Sequence, residues 1–274
     1  MDFTKMQGTG NDFVVIEDLY DDFKGKEDSL AKVLCHRRFG IGADGILLVR
    51  KSSVADIKMD IINADGSYAA MCGNGIRCFA RYVYDKNIVK KPIIEIETGD
   101  GIKIAHLTIN NEDEVLGITI NMGNFSFEPV DIPLSVNEKI IDKDVNINNK
   151  EYKITSMKLG VPHTVVMCNI HDVDVVEGKY IEKYKLFSEG TNVNFCEIED
   201  NDTIRVKTWE RGAGPTLACG TGSCASVVAS NTLGYVGNKC KVIVPGGELF
   251  IELKDDVVFM TGPAEIVFEG KINL

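Results

Sequence analysis

The sequence has one tryptophan, seven prolines and only four histidines. No stretch approaches 18 continuous apolar residues, so no membrane-spanning helix is expected. The opening segment, MDFTKMQGTGNDFVVIEDL, lacks a basic stretch leading into an apolar run. A signal peptide is therefore not expected, and a cytoplasmic location is. There is no basic run either, and the formal net charge is −11. That balance disfavours nucleic acid and anionic membrane surfaces as partners. No C-x-x-C pair occurs and histidines are few, so no metal site is expected. The eight cysteines lie at 35, 72, 78, 168, 196, 219, 224 and 240. An even count suggests disulfides in a small exported chain, but 274 residues without an export signal point to reduced thiols. Most of these cysteines read as small buried hydrophobes.

What is present is a repeat. Displaced by about 147 to 150 positions, four landmarks fall together in the same order. MQGTGNDFVV lies on MKLGVPHTVV, DIKMDIINADG on TIRVKTWERGA, Cys72 on Cys219, and IEIETGDGIKI on VIVPGGELFI. This points to two structurally similar halves. In each half, β-rich runs come first (DFVVIEDL and ADIKMDIINA; HTVVMCNI and DTIRVKTW), one principal helix follows the cysteine, and further strands with Asp-Gly or Gly-Gly turns close the half.

The first helix carries an apolar stripe of Ile76, Phe79, Ala80 and Val83. The second, with Cys224, Ala225, Val227, Val228 and Ala229, is apolar nearly all round and reads as buried on every side, with Gly234 as its stop. The expected fold class is α/β: two pseudo-symmetric domains, each a mostly antiparallel sheet curled around a central helix. The halves are expected at 1–121 and 122–263, with 264–274 returning to the first.

Cys72 and Cys219 each stand at the start of a helix, followed by Gly-x-Gly. A helix N-terminus offers backbone N–H groups and a partial positive charge. It binds anions and favours the thiolate of a cysteine placed there. Two similar halves are expected to bring two such termini to one pocket, with an anion clamp and a thiol on each side. Inverting a tetrahedral carbon needs a base on one face and an acid on the other, and a thiolate with a thiol supplies both. The anion would be an α-carboxylate. Because an amino acid Cα–H is very weakly acidic, stabilisation of the developing carbanion has to be large.

The motifs KMQGTGNDFVVI, FGIGADGILLV, INADGSYAAMCGNGIRCFARYV, EGTNVNF and WERGAGPTLACGTGSCASV span the chain. On them the sequence resembles the diaminopimelate epimerase family, within the superfamily of cofactor-independent amino-acid racemases and epimerases. The resemblance implies an isomerase that interconverts L,L- and meso-diaminopimelate, in lysine and peptidoglycan precursor biosynthesis, without pyridoxal phosphate or any other cofactor. It makes Cys72 and Cys219 the acid/base pair. His163 and Glu210 would help set the protonation of the thiols. The amides of Gly73, Asn74, Gly220 and Thr221 would hold the reacting carboxylate. Asn11, Asn63, Asn192, Glu210 and Arg211 would bind the rest of the substrate, Arg211 by its bidentate fork.

Two positions depart from the family pattern. Val161 stands where an asparagine is common, and Gly45 where a glutamine is common. Cys78 and Cys224 read as core. The expected partner is a small amino-acid substrate, and a homodimer is an assembly the resemblance allows. A racemase of the same superfamily acting on another amino acid would keep both cysteines but lack the distal clamp. A thiol-redox or binding protein would use one helix-terminal cysteine as a sensor.

Overall fold

The computed structural model describes residues 1–273. The chain divides into two compact units. The first is Met1–Ile120 together with residues 261–273, and the second is Asn121–Met260. The sequence boundaries were drawn at 121/122 and 263/264, and Leu274 lies outside the described residues.

The first unit contains β1 (Asp2–Gly8), β2 (Asn11–Glu17), α1 (Glu27–Leu34), β3 (Gly45–Arg50), β4 (Ile57–Asn63), β5 (Tyr68–Ala69), α2 (Gly73–Asp85), β6 (Ile93–Thr98) and β7 (Gly101–Ile109). The division then falls inside β8 (Val115–Asn124). The second unit contains β9 (Lys143–Ile147), β10 (Lys150–Leu159), β11 (Val161–Met167), a 3₁₀ turn at Val175–Glu177, α3 (Gly178–Glu182), β12 (Asn192–Asp200), β13 (Thr203–Glu210), β14 (Gly214–Thr216), α4 (Gly220–Thr232), β15 (Lys239–Val244) and β16 (Gly247–Lys254). The other division falls inside β17 (Val257–Gly262), and β18 (Glu265–Lys271) closes the first unit by pairing antiparallel with β1.

The two units repeat one pattern of strand pairing. In the first, β1–β2 is antiparallel, β2–β3 parallel, β3–β4 and β4–β5 antiparallel, and β4–β6 parallel. In the second, β10–β11, β11–β12, β12–β13, β13–β14 and β13–β15 follow in the same order with the same senses. Register makes the correspondence exact to the residue. Met6 faces Phe13 as Met157 faces His163. Val15 faces Leu47 as Val165 faces Asn194. Leu47 faces Ile61 as Asn194 faces Thr208, and Ile61 faces Ala69 as Thr208 faces Thr216.

Each principal helix is enclosed by the strands of its own unit. α2 packs on β1, β2, β3, β4 and β7, and α4 on β10, β11, β12, β13, β15 and β16. The apolar α4 is buried from Gly220 to Ser230 apart from Thr221. Its serines need no outside partner: Ser223, Ser226 and Ser230 donate to the carbonyls of Cys219, Gly222 and Ser226, each four residues back.

The stripe read on α2 understates its burial. Arg77 is buried as fully as Phe79, donating to the Gly73 carbonyl, the Thr9 hydroxyl and the Pro263 carbonyl. The guanidinium thus ties the start of α2 to the β1–β2 turn and to the chain leading into β18.

α1 is a further element, absent from the sequence reading. It exists because β2 and β3 are buried on both faces. Phe13 and Leu47 point toward α2, while Val14, Ile16, Ile46 and Leu48 pack with Leu30, Ala31 and Leu34 of α1. A parallel strand covered on both sides reads as an unbroken apolar run, as GILLVR does.

Arg50 ends that run among four carboxylates, of which Asp21 lies 3.5 Å from its Nε. It donates to Asp18 at 2.8 Å, Asp60 at 2.8 Å and Glu27 at 2.9 Å. Asp18 and Asp60 are themselves buried. Removing the cation strands their charges, and Arg50→Met is expected to lower stability by about 3–5 kcal/mol. A shift of the urea denaturation midpoint measures this.

Candidate active site

Cys72 and Cys219 occupy the N-cap positions of α2 and α4 in extended backbone conformation, with φ and ψ of −144° and 118° for Cys72 and −114° and 112° for Cys219. Each sulfur accepts the N–H of the residue three positions on, Gly75 or Gly222, at 3.4 Å. Serine, threonine, aspartate and asparagine are the usual N-caps. A sulfur there receives a backbone N–H and the positive end of the helix, both of which favour the thiolate. Gly73 and Asn74, and Gly220 and Thr221, are the next two residues of their helices, whose N–H groups have no acceptor within the helix.

Around Cys72 the first unit builds a polar lattice. The thiol lies 3.5 Å from Asn11 Oδ1, which also accepts from Asn74 Nδ2 at 3.4 Å. Asn11 Nδ2 donates to Asp44 at 2.6 Å, which fixes which end of the amide faces the sulfur. The backbone N–H of each of Asp12 and Asp44 donates to the other's carboxylate, and Arg37 bridges the two carboxylates at 2.8 and 2.9 Å. Lys5 reaches Asp12 at 2.6 Å and also donates to the Gly42 carbonyl. Burial pushes the Asp12 carboxyl up, but hydrogen bonds from Arg37 and Lys5 outweigh it and hold the group below its ordinary value. Thr9 adds a hydrogen bond to Asn74 Oδ1 at 3.2 Å.

Asn63 lies at the end of β4 with its amide on Ser67. It pairs in register with Gly45, where an added Cβ would come 2.8 Å from the Ile62 carbonyl.

In the second unit Cys219 is 7% exposed, and its sulfur lies 3.5 Å from the Thr221 hydroxyl. His163 is fully buried on β11. Asn194 Nδ2 lies 3.2 Å from its Nδ1, and Nε2 has no hydrogen-bond partner among the described residues. Burial, helped by the Arg211 cation, pulls the imidazole down to about 3.

Asn192 is held at both ends of its amide, donating to the Pro162 carbonyl and accepting from the Arg211 backbone N–H, each at 2.9 Å. Glu210 accepts from Thr216 at 2.7 Å. The Arg211 guanidinium is exposed and donates to the Glu189 carbonyl at 2.8 Å. Val161 is 40% exposed at the start of β11.

Thus Cys72 and Asn74 both touch Asn11, Cys219 touches Thr221, and Asn192 touches Arg211. Asn63 contacts none of the other candidates through the bonds described. Thr9, Asp12, Arg37, Asp44, Arg77, Asn194 and Thr208 were not singled out from sequence. Asn194 alone carried a signal: it lies two residues from Asn192, on the same face of a strand. Among the described residues there is no group of three or more histidine, cysteine or acidic side chains able to hold a metal ion. None of their helices is long and apolar enough to cross a membrane.

The first turns of the two helices differ in the room they leave. A Cβ on Gly75 would meet Phe13 Cζ at 3.3 Å, whereas one on Gly222 would fall 2.2 Å from Asn194 Oδ1. Gly222→Ala is expected to lower stability by about 1–3 kcal/mol. Gly75→Ala changes it less, because alanine's helix preference of about 1 kcal/mol offsets a milder contact. Denaturant titration of the two variants checks the difference.

His163 sets a pH dependence of its own. Between about pH 3 and 6.5 the unfolded chain holds a proton on this ring that the folded chain does not. Stability therefore rises with pH across that window, by up to about 1.4 kcal/mol per unit from this group. His163→Asn, which keeps an acceptor for Asn194, is expected to flatten the slope between about pH 4 and 6 in denaturation measurements.

Comparison with known proteins places this geometry. A family model described as diaminopimelate epimerase matches residues 3–128 and 155–267. A diaminopimelate epimerase of Clostridium perfringens is 57% identical over 270 residues, covering 98% of each chain. One from Caldanaerobacter subterraneus is 46% identical over 279 residues, covering all of both. Among solved structures, a probable proline racemase from Agrobacterium radiobacter superposes with a TM-score of 0.72 at 16% identity, covering 100% of this chain and 93% of that one. A hydroxyproline epimerase from Agrobacterium vitis does so with a TM-score of 0.72 at 16% identity, covering 98% and 91%. Those two likenesses concern the fold, a mixed α/β arrangement of many strands and few helices. With the family model spanning most of its length and relatives matched end to end, the chain belongs to the diaminopimelate epimerase family.

Proposed function

We propose that this chain is an isomerase that interconverts L,L- and meso-diaminopimelate with Cys72 and Cys219 as its acid/base pair. The observation that carries the reading is that both cysteines hold the same N-cap register in two units of the same strand pattern. One thiolate takes the α-proton as H⁺ and leaves the electron pair on Cα. The other thiol returns a proton to the opposite face and becomes the thiolate. Atoms and charge balance, the configuration inverts, and the two sulfurs have exchanged roles. No cofactor takes part.

The amides of Gly73, Asn74, Gly220 and Thr221 receive the α-carboxylate, and their fixed dipoles stabilise the carbanion. Arg211 takes the distal carboxylate, and Glu210 the distal ammonium. Asn11, Asn63 and Asn192 supply the remaining polar contacts. His163 is uncharged near neutral pH and acts as a dipole beside this chemistry rather than as an acid. The same reading gives a cytoplasmic enzyme serving lysine and peptidoglycan precursors.

Asn63, Asn192, Glu210 and Arg211 are all retained, which favours diaminopimelate over a substrate lacking a distal zwitterion. The test is incubation of the reduced protein in D₂O with L,L-diaminopimelate, and in parallel with single L-amino acids. Loss of the α-proton signal and appearance of meso product with diaminopimelate alone are the expected result. Cys72→Ser and Cys219→Ser are each expected to lower the rate by about 10²-fold or more. Exchange only with a single amino acid overturns the substrate, and a native rate in either variant overturns the two-base pair.

A further inference from the structure

The two units build the floor beneath their helix starts from different side chains. By register, Phe13, Leu47 and Ile61 of the first correspond to His163, Asn194 and Thr208 of the second. Contacts agree with register. The space at Gly75 is bounded by Phe13 Cζ, Leu47 Cδ2 and Cys72 Cβ, and that at Gly222 by Asn194 Oδ1 and Cγ and Cys219 Cβ. An apolar floor is therefore enough to seat a cysteine-capped helix, because α2 has one. The second unit instead buries three polar side chains, His163, Asn194 and Thr208. Burying polar groups is unfavourable unless each is hydrogen-bonded, so packing does not account for the exchange.

The directions of the hydrogen bonds can be worked out. Thr208 donates its hydroxyl to Asn194 Oδ1 at 3.0 Å. The same oxygen presses on the backbone of Gly222, where only hydrogens stand in place of a side chain. An oxygen tolerates C–H neighbours there and an NH₂ group does not. The Gly222 contact puts Oδ1 on that side, where the Thr208 hydroxyl can donate to it, and leaves Nδ2 facing His163 Nδ1 at 3.2 Å. An amide nitrogen only donates, so Nδ1 must be the bare nitrogen of the ring. The ring proton is then on Nε2, the buried atom without a partner among the described residues.

We propose that Asn194, clamped by Thr208 and Gly222, is a positioning residue that fixes His163 as the neutral Nε2–H tautomer. The Cys219 half thereby gains a buried hydrogen-bond donor for an anion, and the Cys72 half, with Phe13 in that place, does not. A ring held this way stabilises negative charge and cannot accept a proton at Nε2. It is therefore not the base that ionises a thiol. The functional part of this inference rests on the epimerase reading, whereas the tautomer does not.

Long-range ¹H–¹⁵N correlation of the substrate-free protein reads the tautomer directly, with His163→Asn identifying the signal among the four histidines. The expected wild-type spectrum shows a bare Nδ1 and a protonated Nε2. Asn194→Asp turns the donor into an acceptor, so Nδ1 is expected to gain a proton. Epimerase kcat should fall on the order of 10²-fold with KM unchanged. A wild-type ring protonated at Nδ1 overturns the proposal, as does an Asn194→Asp variant that keeps a bare Nδ1. An altered ring with native kcat overturns the positioning role. If Asn194→Asp does not fold, Thr208→Val, which leaves the Gly222 contact to hold Oδ1, is expected to keep a bare Nδ1, and a ring protonated at Nδ1 in that variant refutes the clamp. Failure of diaminopimelate to react would leave the spectra unchanged, so the two readings fail separately.

Discussion

The sulfur at each helix N-cap accepts the N–H three residues on, and much of each unit is arranged to keep that contact in place. The helix behind the cap is surrounded by strands, so its positive end is not diluted by water along its flanks. The next residues are small enough for the backbone to be approached. In the first unit a buried arginine and an ion-pair lattice brace the loop that brings Asn11 to the thiol. In the second, hydroxyl, amide and imidazole groups lie under the same turn. The cap is common to both units, and its support differs.

That difference gives the repeat a meaning beyond symmetry. A reaction that inverts a carbon uses two groups of the same kind, but at any moment one is protonated and the other is not. Two identical environments would not distinguish them. The first unit presents an acceptor, Asn11 Oδ1, to its thiol. The second has a hydroxyl 3.5 Å from its sulfur and a polar floor beneath the helix. One arrangement of strands is thus furnished in two ways.

The features legible in the sequence were those expressed in local order. The paired cysteine-glycine stretches, the alternating strand runs and the featureless apolar character of α4 all lie within short windows. Membership of the epimerase family was readable from its long motifs. α1 was missed because eight residues give barely two turns of periodicity, and because the need for it arises from β2 and β3 being covered on both faces. Arg77 was passed over because only the apolar stripe was read on α2, and a charged residue gives no local sign that its neighbours will bury it. Asn194 was missed for a different reason. Its importance lies in facing Val165 and Thr208 across two strand pairings, and register between distant segments is not written in any one of them.

The serines of α4 have a consequence for how this protein can change over evolutionary time. Each hydroxyl closes on a carbonyl of the same helix, and although Ser230 also meets the Cys196 sulfur at 3.6 Å, the helix makes little polar demand on the wall around it. Residues of that wall are interchangeable to the extent that they remain oily and fill the same volume. The first turn of α4 has no such latitude, since there the neighbours of Gly222 are named atoms at fixed distances. Lineages of this fold are therefore free to drift along the length of the helix while remaining anchored at its tip.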